Sequence, residues 1–116
     1  MAHIQLEPAS KEIETCIQDC LDCYDVCIQT EAHCLKMGGK HSEAAHIQLM
    51  ADCARICQVS AEFMLRGSPA AKALCAMCAD LCARCAEDCK RFKDDKQMQK
   101  CAEVCGTCAE SCRQMA

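Results

Sequence analysis

Sixteen cysteines in 116 residues limit what this chain can fold into, because they are spaced and not scattered. They fall at 16, 20, 23, 27 and 34, at 53 and 57, at 75, 78, 82, 85 and 89, and at 101, 105, 108 and 112. Within each group the steps are three, four or seven, the alternation that sets side chains along one seam of an α-helix. Four groups in one register predict four helices whose seams share an axis. Composition agrees. Cys is roughly 14% of the chain, while Leu, Ile, Val and Phe together are about 16%, below the ~20% at which an ordinary aliphatic core becomes doubtful.

Punctuation cuts the chain at three places. In Met37-Gly38-Gly39-Lys40-His41-Ser42 the paired Gly can end a helix in the left-handed cap, and Ser42 can cap the next. In Arg66-Gly67-Ser68-Pro69, Gly67 is the stop, Ser68 the N-cap and Pro69 the first helical residue. At Asp94, with Gln97 three residues on, a weaker capping-box-like start appears. Pro8 suits a first turn and Ser10 is a candidate cap. The predicted helices are 9–37, 43–66, 69–92 and 95–114, about 30 to 43 Å long at 1.5 Å per residue. Connections this short force antiparallel neighbours. The fold class is all-α: an antiparallel up-down-up-down four-helix bundle with a Cys-lined core, forming one domain over 1–116.

Extending the Cys register places Ile13, Thr30 and Met37 on the first seam and His46, Met50, Ser60 and Met64 on the second. Phe92 falls on the third, and Met98 and Met115 on the fourth. Beside the seams run Ile17 and Tyr24, then Leu49, Ile56 and Phe63, then Leu74 and Leu81. These stripes either close the seams between helices or bury a face in an oligomer.

Several function classes are disfavoured. A formal charge of -4 with one Tyr and no Trp lacks the basic footprint and stacking aromatics of nucleic-acid binding. No apolar run approaches the roughly 18 residues needed to cross a membrane. The N-terminus shows no export signal, so the expected compartment is a reducing cytoplasm, where Cys clusters more often bind metal than form disulfides. Charged residues such as Glu12, Glu14, Asp19, Lys90 and Arg91 read as a solvated face. No nucleophile–base set, phosphate loop or paired core carboxylate is present; the chain reads as a non-enzyme with no catalytic residues.

The thiols then have to be read by their chemistry. Disulfides within a helix are disfavoured, since bridging needs Cβ atoms about 3.5–4.5 Å apart and helical neighbours lie about 5–6 Å apart. The pairs Cys20–Cys23, Cys75–Cys78, Cys82–Cys85 and Cys105–Cys108 lie in helix interiors. Thioredoxin-like pairs stand alone at helix N-termini. Soft thiolates select Cu(I), Zn(II) or iron–sulfur clusters. Iron–sulfur clusters favour Cys groups on loops, and Zn(II) wants closed tetrahedra. Sixteen thiolates cannot share a dry axis, so the metal-free core must hold neutral thiols that lose protons as metal enters. One Cu(I) for one proton leaves the core neutral, whereas Zn(II) on four thiolates leaves about two negative charges per site. Cu(I) is favoured; Zn(II) or general soft-metal sequestration stays open, and a thiol redox or iron–sulfur protein is the remote alternative.

The runs Cys16-Ile-Gln-Asp-Cys20-Leu-Asp-Cys23, Cys53-Ala-Arg-Ile-Cys57, Cys75-Ala-Met-Cys78-Ala-Asp-Leu-Cys82-Ala-Arg-Cys85 and Cys101-Ala-Glu-Val-Cys105-Gly-Thr-Cys108-Ala-Glu-Ser-Cys112 resemble those of the four-helix-bundle copper storage proteins. The likeness is to their leaderless, cytosolic branch and spans about residues 10 to 116. It implies a bundle that stores many Cu(I) ions along its core without turnover, often as a homotetramer. The metal-site residues are then Cys16, Cys20, Cys23, Cys27, Cys34, Cys53, Cys57, Cys75, Cys78, Cys82, Cys85, Cys89, Cys101, Cys105, Cys108 and Cys112. His46 and Met98 join them, standing where relatives can carry further Cys. The third turn, which can hold His in relatives, reads Phe92-Lys93-Asp94-Asp95-Lys96 here.

Antiparallel packing gathers His33, Met37, His41, His46, Met50 and Met98 at one end, a candidate loading mouth of weaker ligands. His46, on a core position, is the strongest of these, and His33 only neighbours the seam. Met64 and Met115 form a hydrophobic plug at the far end. His3 has no assigned role.

Overall fold

The computed structural model describes residues 10–116, so Pro8 and His3 lie outside the described residues. Four helices follow one another: α1 Lys11–Met37, α2 Ala44–Leu65, α3 Ala71–Lys90 and α4 Lys96–Met115. Among the described residues there is no strand. Each helix packs on its sequence neighbours and α4 closes against α1, giving an up-down-up-down bundle with extents of 55 × 29 × 20 Å.

The turn chemistry explains the cuts. Ser10 caps α1, its side chain accepting the Ile13 N–H at 3.2 Å. Gly38 ends α1 at φ 71°, a region that a side chain would resist. Ser42 does not cap α2: a 3-10 turn over Gly39–Ser42 intervenes, Ser42 Oγ donates to the Gly39 carbonyl, and Glu43 takes the N-cap position. Helix α2 ends in a Schellman motif. Gly67 N–H bonds Met64 O and Ser68 N–H bonds Phe63 O, both at 3.0 Å, with Gly67 at φ 67°. Ser68 accepts the Ala70 N–H at 3.1 Å, so it orders a turn and α3 begins two residues later than expected. At α4 the cap is Asp95, not Asp94: its carboxylate accepts the Met98 N–H at 3.1 Å. Gln97 turns instead to Thr30, donating to its hydroxyl at 2.9 Å.

Every Cys is buried, as are Thr30, His46, Met50, Ser60, Met64, Phe92 and Met98. Met37 breaks the expected register and is 56% exposed. With 27 residues against 20 in α3 and α4, α1 outruns its partners: Cys34 in its last turn still meets His46 and Met98, while Met37 lines the open cavity outside. Ile13 and Met115, at the opposite end, are half-buried. Asp19 is not simply solvated: it accepts a hydrogen bond from Ser111 Oγ between α1 and α4. The large flanking residues Tyr24, Leu49, Ile56, Phe63, Leu74 and Leu81 are half-buried, and Ile17 fully so. They cover the seams and still leave an edge to solvent.

On α2, α3 and α4 what lies fully buried beside the column is alanine: Ala54, Ala61, Ala79, Ala86, Ala102 and Ala109, each directly after a seam residue. Interaxial distance follows side-chain size at the contact. Small neighbours therefore let the backbones close until sulfurs from different helices touch.

Candidate metal centre

The seams produce one sulfur column. At its centre Cys57 Sγ lies 3.4 Å from Cys82, Cys53 lies 3.5 Å from Cys82, and Cys23 and Cys27 each lie 3.6 Å from Cys105. Towards the far end Cys20 and Cys16 approach Cys112 at 3.5 and 3.6 Å, and Cys75 donates to Met64 Sδ at 3.7 Å. All sixteen thiols are free and buried. Thr30 and Ser60 sit on the axis without sulfur. The Thr30 hydroxyl donates back to the Val26 carbonyl of its own helix, and the Ser60 hydroxyl to the Leu74 carbonyl of α3.

Four-sulfur groups recur along it, with all sulfurs of a group within 4.8 Å of one another: Cys20, Cys78, Cys108 and Cys112; Cys23, Cys53, Cys57 and Cys82; Cys23, Cys27, Cys53 and Cys105; Cys27, Cys85, Cys101 and Cys105; and Cys57, Cys78, Cys82 and Cys108. Adjacent groups share members. The column has no boundary at which one site ends and the next begins.

Protonation follows from the same contacts. Hydrogen bonds to neighbouring thiols, Cys108 first for Cys57 and Cys101 first for Cys105, push these two thiols up, and burial adds to it. Hydrogen bonds received from Cys105 and Cys112 respectively pull Cys53 and Cys108 down against burial. The thiols of the column are thus coupled to one another through S–H···S contacts, so the protonation of each depends on its neighbours. At the mouth, burial and then the Asp95 charge push Cys34 up to about 11.

His46 and Met98 join the column through Cys34. His46 Nε2 is 3.3 Å from Cys34 Sγ, and Met98 Sδ is 3.4 Å from the same sulfur. His46 Nδ1 meets Asp88 Oδ2 at 2.5 Å, and Arg91 Nε donates to Asp88 Oδ1 at 2.8 Å. A carboxylate on one ring nitrogen fixes the tautomer, aims the other and raises its basicity towards metal. His33 and His41 are not in the column; both lie outside it on Asp95. Met50 is buried near the mouth end of α2, and Met37 faces the cavity beyond it. Asp88 and Asp95 are the two functional positions the spacing did not disclose. Neither lies on a seam, and only the helix pairing brings them to a His.

A bundle whose axis is a continuous thiol column, with an oriented His and a thioether at one mouth, defines a protein for soft metal ions. Residues 9–116 match the family described as copper storage protein, Csp, and the chain belongs to that family. The Cu(I)-bound copper storage protein BsCsp3 of Bacillus subtilis is 39% identical with a TM-score of 0.85, over 91% of this chain and 99% of that one. The copper storage protein Ccsp of Streptomyces lividans, loaded with 10 copper equivalents, is 26% identical with a TM-score of 0.79, over 94% and 91%. An uncharacterized cysteine-rich protein of Bacillus subtilis (strain 168), YhjQ, is 40% identical over 68 residues. That stretch is 59% of this chain and 63% of that relative, less than two thirds of its length.

Proposed function

We propose that this chain stores and buffers copper by taking many Cu(I) ions into its thiol column, through all sixteen Cys with His46 and Met98 as ligands at the mouth. The observation that carries the reading is the overlap of the four-sulfur groups, Cys27 and Cys105 serving two of them and Cys57 and Cys82 likewise. Thiolates shared in this way suit bridged, low-coordinate Cu(I). Each ion replaces a proton, so the dry core stays neutral as it fills. The chemistry is exchange of metal for protons, without turnover of a substrate. The Cu(I) bound to BsCsp3 and the 10 copper equivalents loaded into Ccsp support the same reading.

A second reading has one observation in its favour. Cys20, Cys78, Cys108 and Cys112, then Cys23, Cys53, Cys57 and Cys82, then Cys27, Cys85, Cys101 and Cys105 are three cages with no shared member, each suited to one tetrahedral Zn(II). Three such sites leave about six negative charges in the core, which weighs against it. An anaerobic titration of the reduced protein with Cu(I) against a chromogenic chelator separates the two. Ten or more ions per chain are expected; saturation at four or fewer sinks the Cu(I) column in favour of cages.

His46 is proposed as the ligand that passes copper to Cys34, with Asp88 orienting it. Asp88→Asn, which keeps the shape and loses the charge, is expected to weaken the mouth ion about tenfold or more and leave total capacity within one ion of wild type. Chelator competition at low copper loading measures this.

We further propose that the protein works in a reducing cytoplasm, because thiols in van der Waals contact stay free only where oxidation is held off. Self-association is proposed through α1, where Leu21, Ile28 and Leu35 recur every seven residues and are 38, 46 and 59% exposed; such a stripe is suited to cover by a second copy. A homotetramer fits the family resemblance.

A further inference from the structure

Outside the thiol column, two imidazoles from different elements converge on one carboxylate oxygen. His33 of α1 and His41 of the 3-10 turn each bring Nε2 to Asp95 Oδ2, at 2.7 and 2.9 Å. The carboxylate is held in place for this: its other oxygen accepts the Met98 N–H as the cap of α4, so it cannot swing away without uncapping the helix. His41 is held by Phe92, with ring centroids 4.3 Å apart, and the two imidazoles meet edge to face at 5.8 Å. The side chains of Asp95, His41 and His33 are 15, 17 and 30% exposed and face an open cavity that Met37 and Phe92 also line. Burial opposes ionisation of Asp95, but hydrogen bonds from His33, the Met98 N–H and His41 outweigh it and hold the carboxyl at about 2.

We propose that His33, His41 and Asp95 form a binding site for a divalent cation of borderline softness, Zn(II) or Co(II) in class, outside the mouth of the thiol column and separate from it. Two imidazoles and a carboxylate with an open fourth position suit such an ion, and the set holds no thiolate to favour Cu(I). The spacing is close to what is needed. With metal–ligand bonds of about 2.0–2.1 Å, the donor atoms of a tetrahedral site lie about 3.3 Å apart, so the two His–Asp95 contacts have to open by roughly half an ångström. To bind, each ring takes the neutral tautomer with its single proton on Nδ1, a proton on Nε2 being exchanged to Nδ1 through solvent, so that Nε2 is free for the ion. His46, whose Nδ1 is taken by Asp88, is not part of the trio. Against the ion stand Arg91, Lys93 and Lys96, which line the same cavity. Arg91 is paired with Asp88 at 2.8 Å, and Lys93 and Lys96 are exposed, where salt screens their repulsion.

The site is read best with the thiols occupied, and in that respect it rests on the proposed copper store. The full chain, saturated anaerobically with Cu(I), is titrated with Co(II), following d–d absorption and recording bound copper in the same sample. One Co(II) per chain is expected, with nitrogen and oxygen coordination and no thiolate charge-transfer band, at unchanged copper content. The double variant H33A/H41A should lose this uptake. Asp95→Asn, which still caps α4 because Asn ranks with Asp at that position, should weaken it at least tenfold. No uptake by the wild type, or equal uptake by H33A/H41A, overturns the proposal. A thiolate charge-transfer band with a low copper count would instead count against the copper column; H33A/H41A then decides the outer site, because only the charge-transfer-free part of the spectrum should vanish.

Discussion

Raising the pH of the metal-free protein from about 8.5 to 11 is expected to unfold it. In an unfolded chain a thiol ionises near 8.5. In the bundle, burial, followed by the charges of Asp95 and Cys101, pushes Cys34 up to about 11. At the other end a hydrogen bond from Cys112 lowers Cys75, but the bond to Cys16 and burial outweigh it and push Cys75 up to about 12. Below about pH 8.5 both states hold these thiols neutral and their titration contributes nothing. Above it the unfolded chain releases protons that the folded one keeps, so stability falls with rising pH. The slope is about 1.4 kcal/mol per pH unit per thiol. By pH 11 the two end thiols together cost about 7 kcal/mol, comparable with the whole stability of a typical domain, about 5–15 kcal/mol. Helical circular dichroism against pH, under reductant and without oxygen, measures the transition. The double variant C34A/C75A should show a shallower pH dependence. A metal-free wild type that keeps its helix to pH 12 would refute the argument.

The spacing of the cysteines carried most of the fold, because a period-seven pattern in four runs leaves few other ways to bury sixteen thiols. It also located His46 and Met98, which occupy the same register and meet Cys34 at 3.3 and 3.4 Å. What it could not carry depends on helix length and on the packing of one helix against another. Met37 obeys the register and is exposed, because α1 is a full seven residues longer than α3 and α4. The flanking Leu and Ile are the larger apolar residues, yet on α2, α3 and α4 it is Ala54, Ala79 and Ala102 and their heptad mates that are buried beside the column, since contact between sulfurs demands close backbones. Asp88 and Asp95 lie off every seam, and the spacing carries no signal for either. Each acquires its role from a His more than forty residues away in sequence, a juxtaposition that exists only after α3 pairs with α2 and α4 closes on α1.

Loading with Cu(I) is expected to abolish the alkaline transition and to release about one proton per ion. Ligands that bind only the folded state stabilise it by about 2.7 kcal/mol each at a hundredfold excess over Kd. Ten ions at that level amount to about 27 kcal/mol, well beyond the loss of about 7 kcal/mol from Cys34 and Cys75, and the metal removes the very protons whose release drives unfolding. The loaded protein should therefore keep its helical signal at pH 11, where the metal-free form has lost it. Proton count then separates the two metal chemistries by a factor of four. A column that begins as neutral thiols exchanges one proton for each bridged Cu(I), whereas a closed cage such as Cys27, Cys85, Cys101 and Cys105 has to lose about four protons for one Zn(II). Titration at constant pH, recording base consumed per ion bound, reads the ratio directly. A slope near one supports the shared column. A slope near four assigns the sulfurs to discrete cages. Loss of helix at pH 11 despite full loading would place the ions outside the column, since metal on the buried thiols cannot leave their titration unchanged.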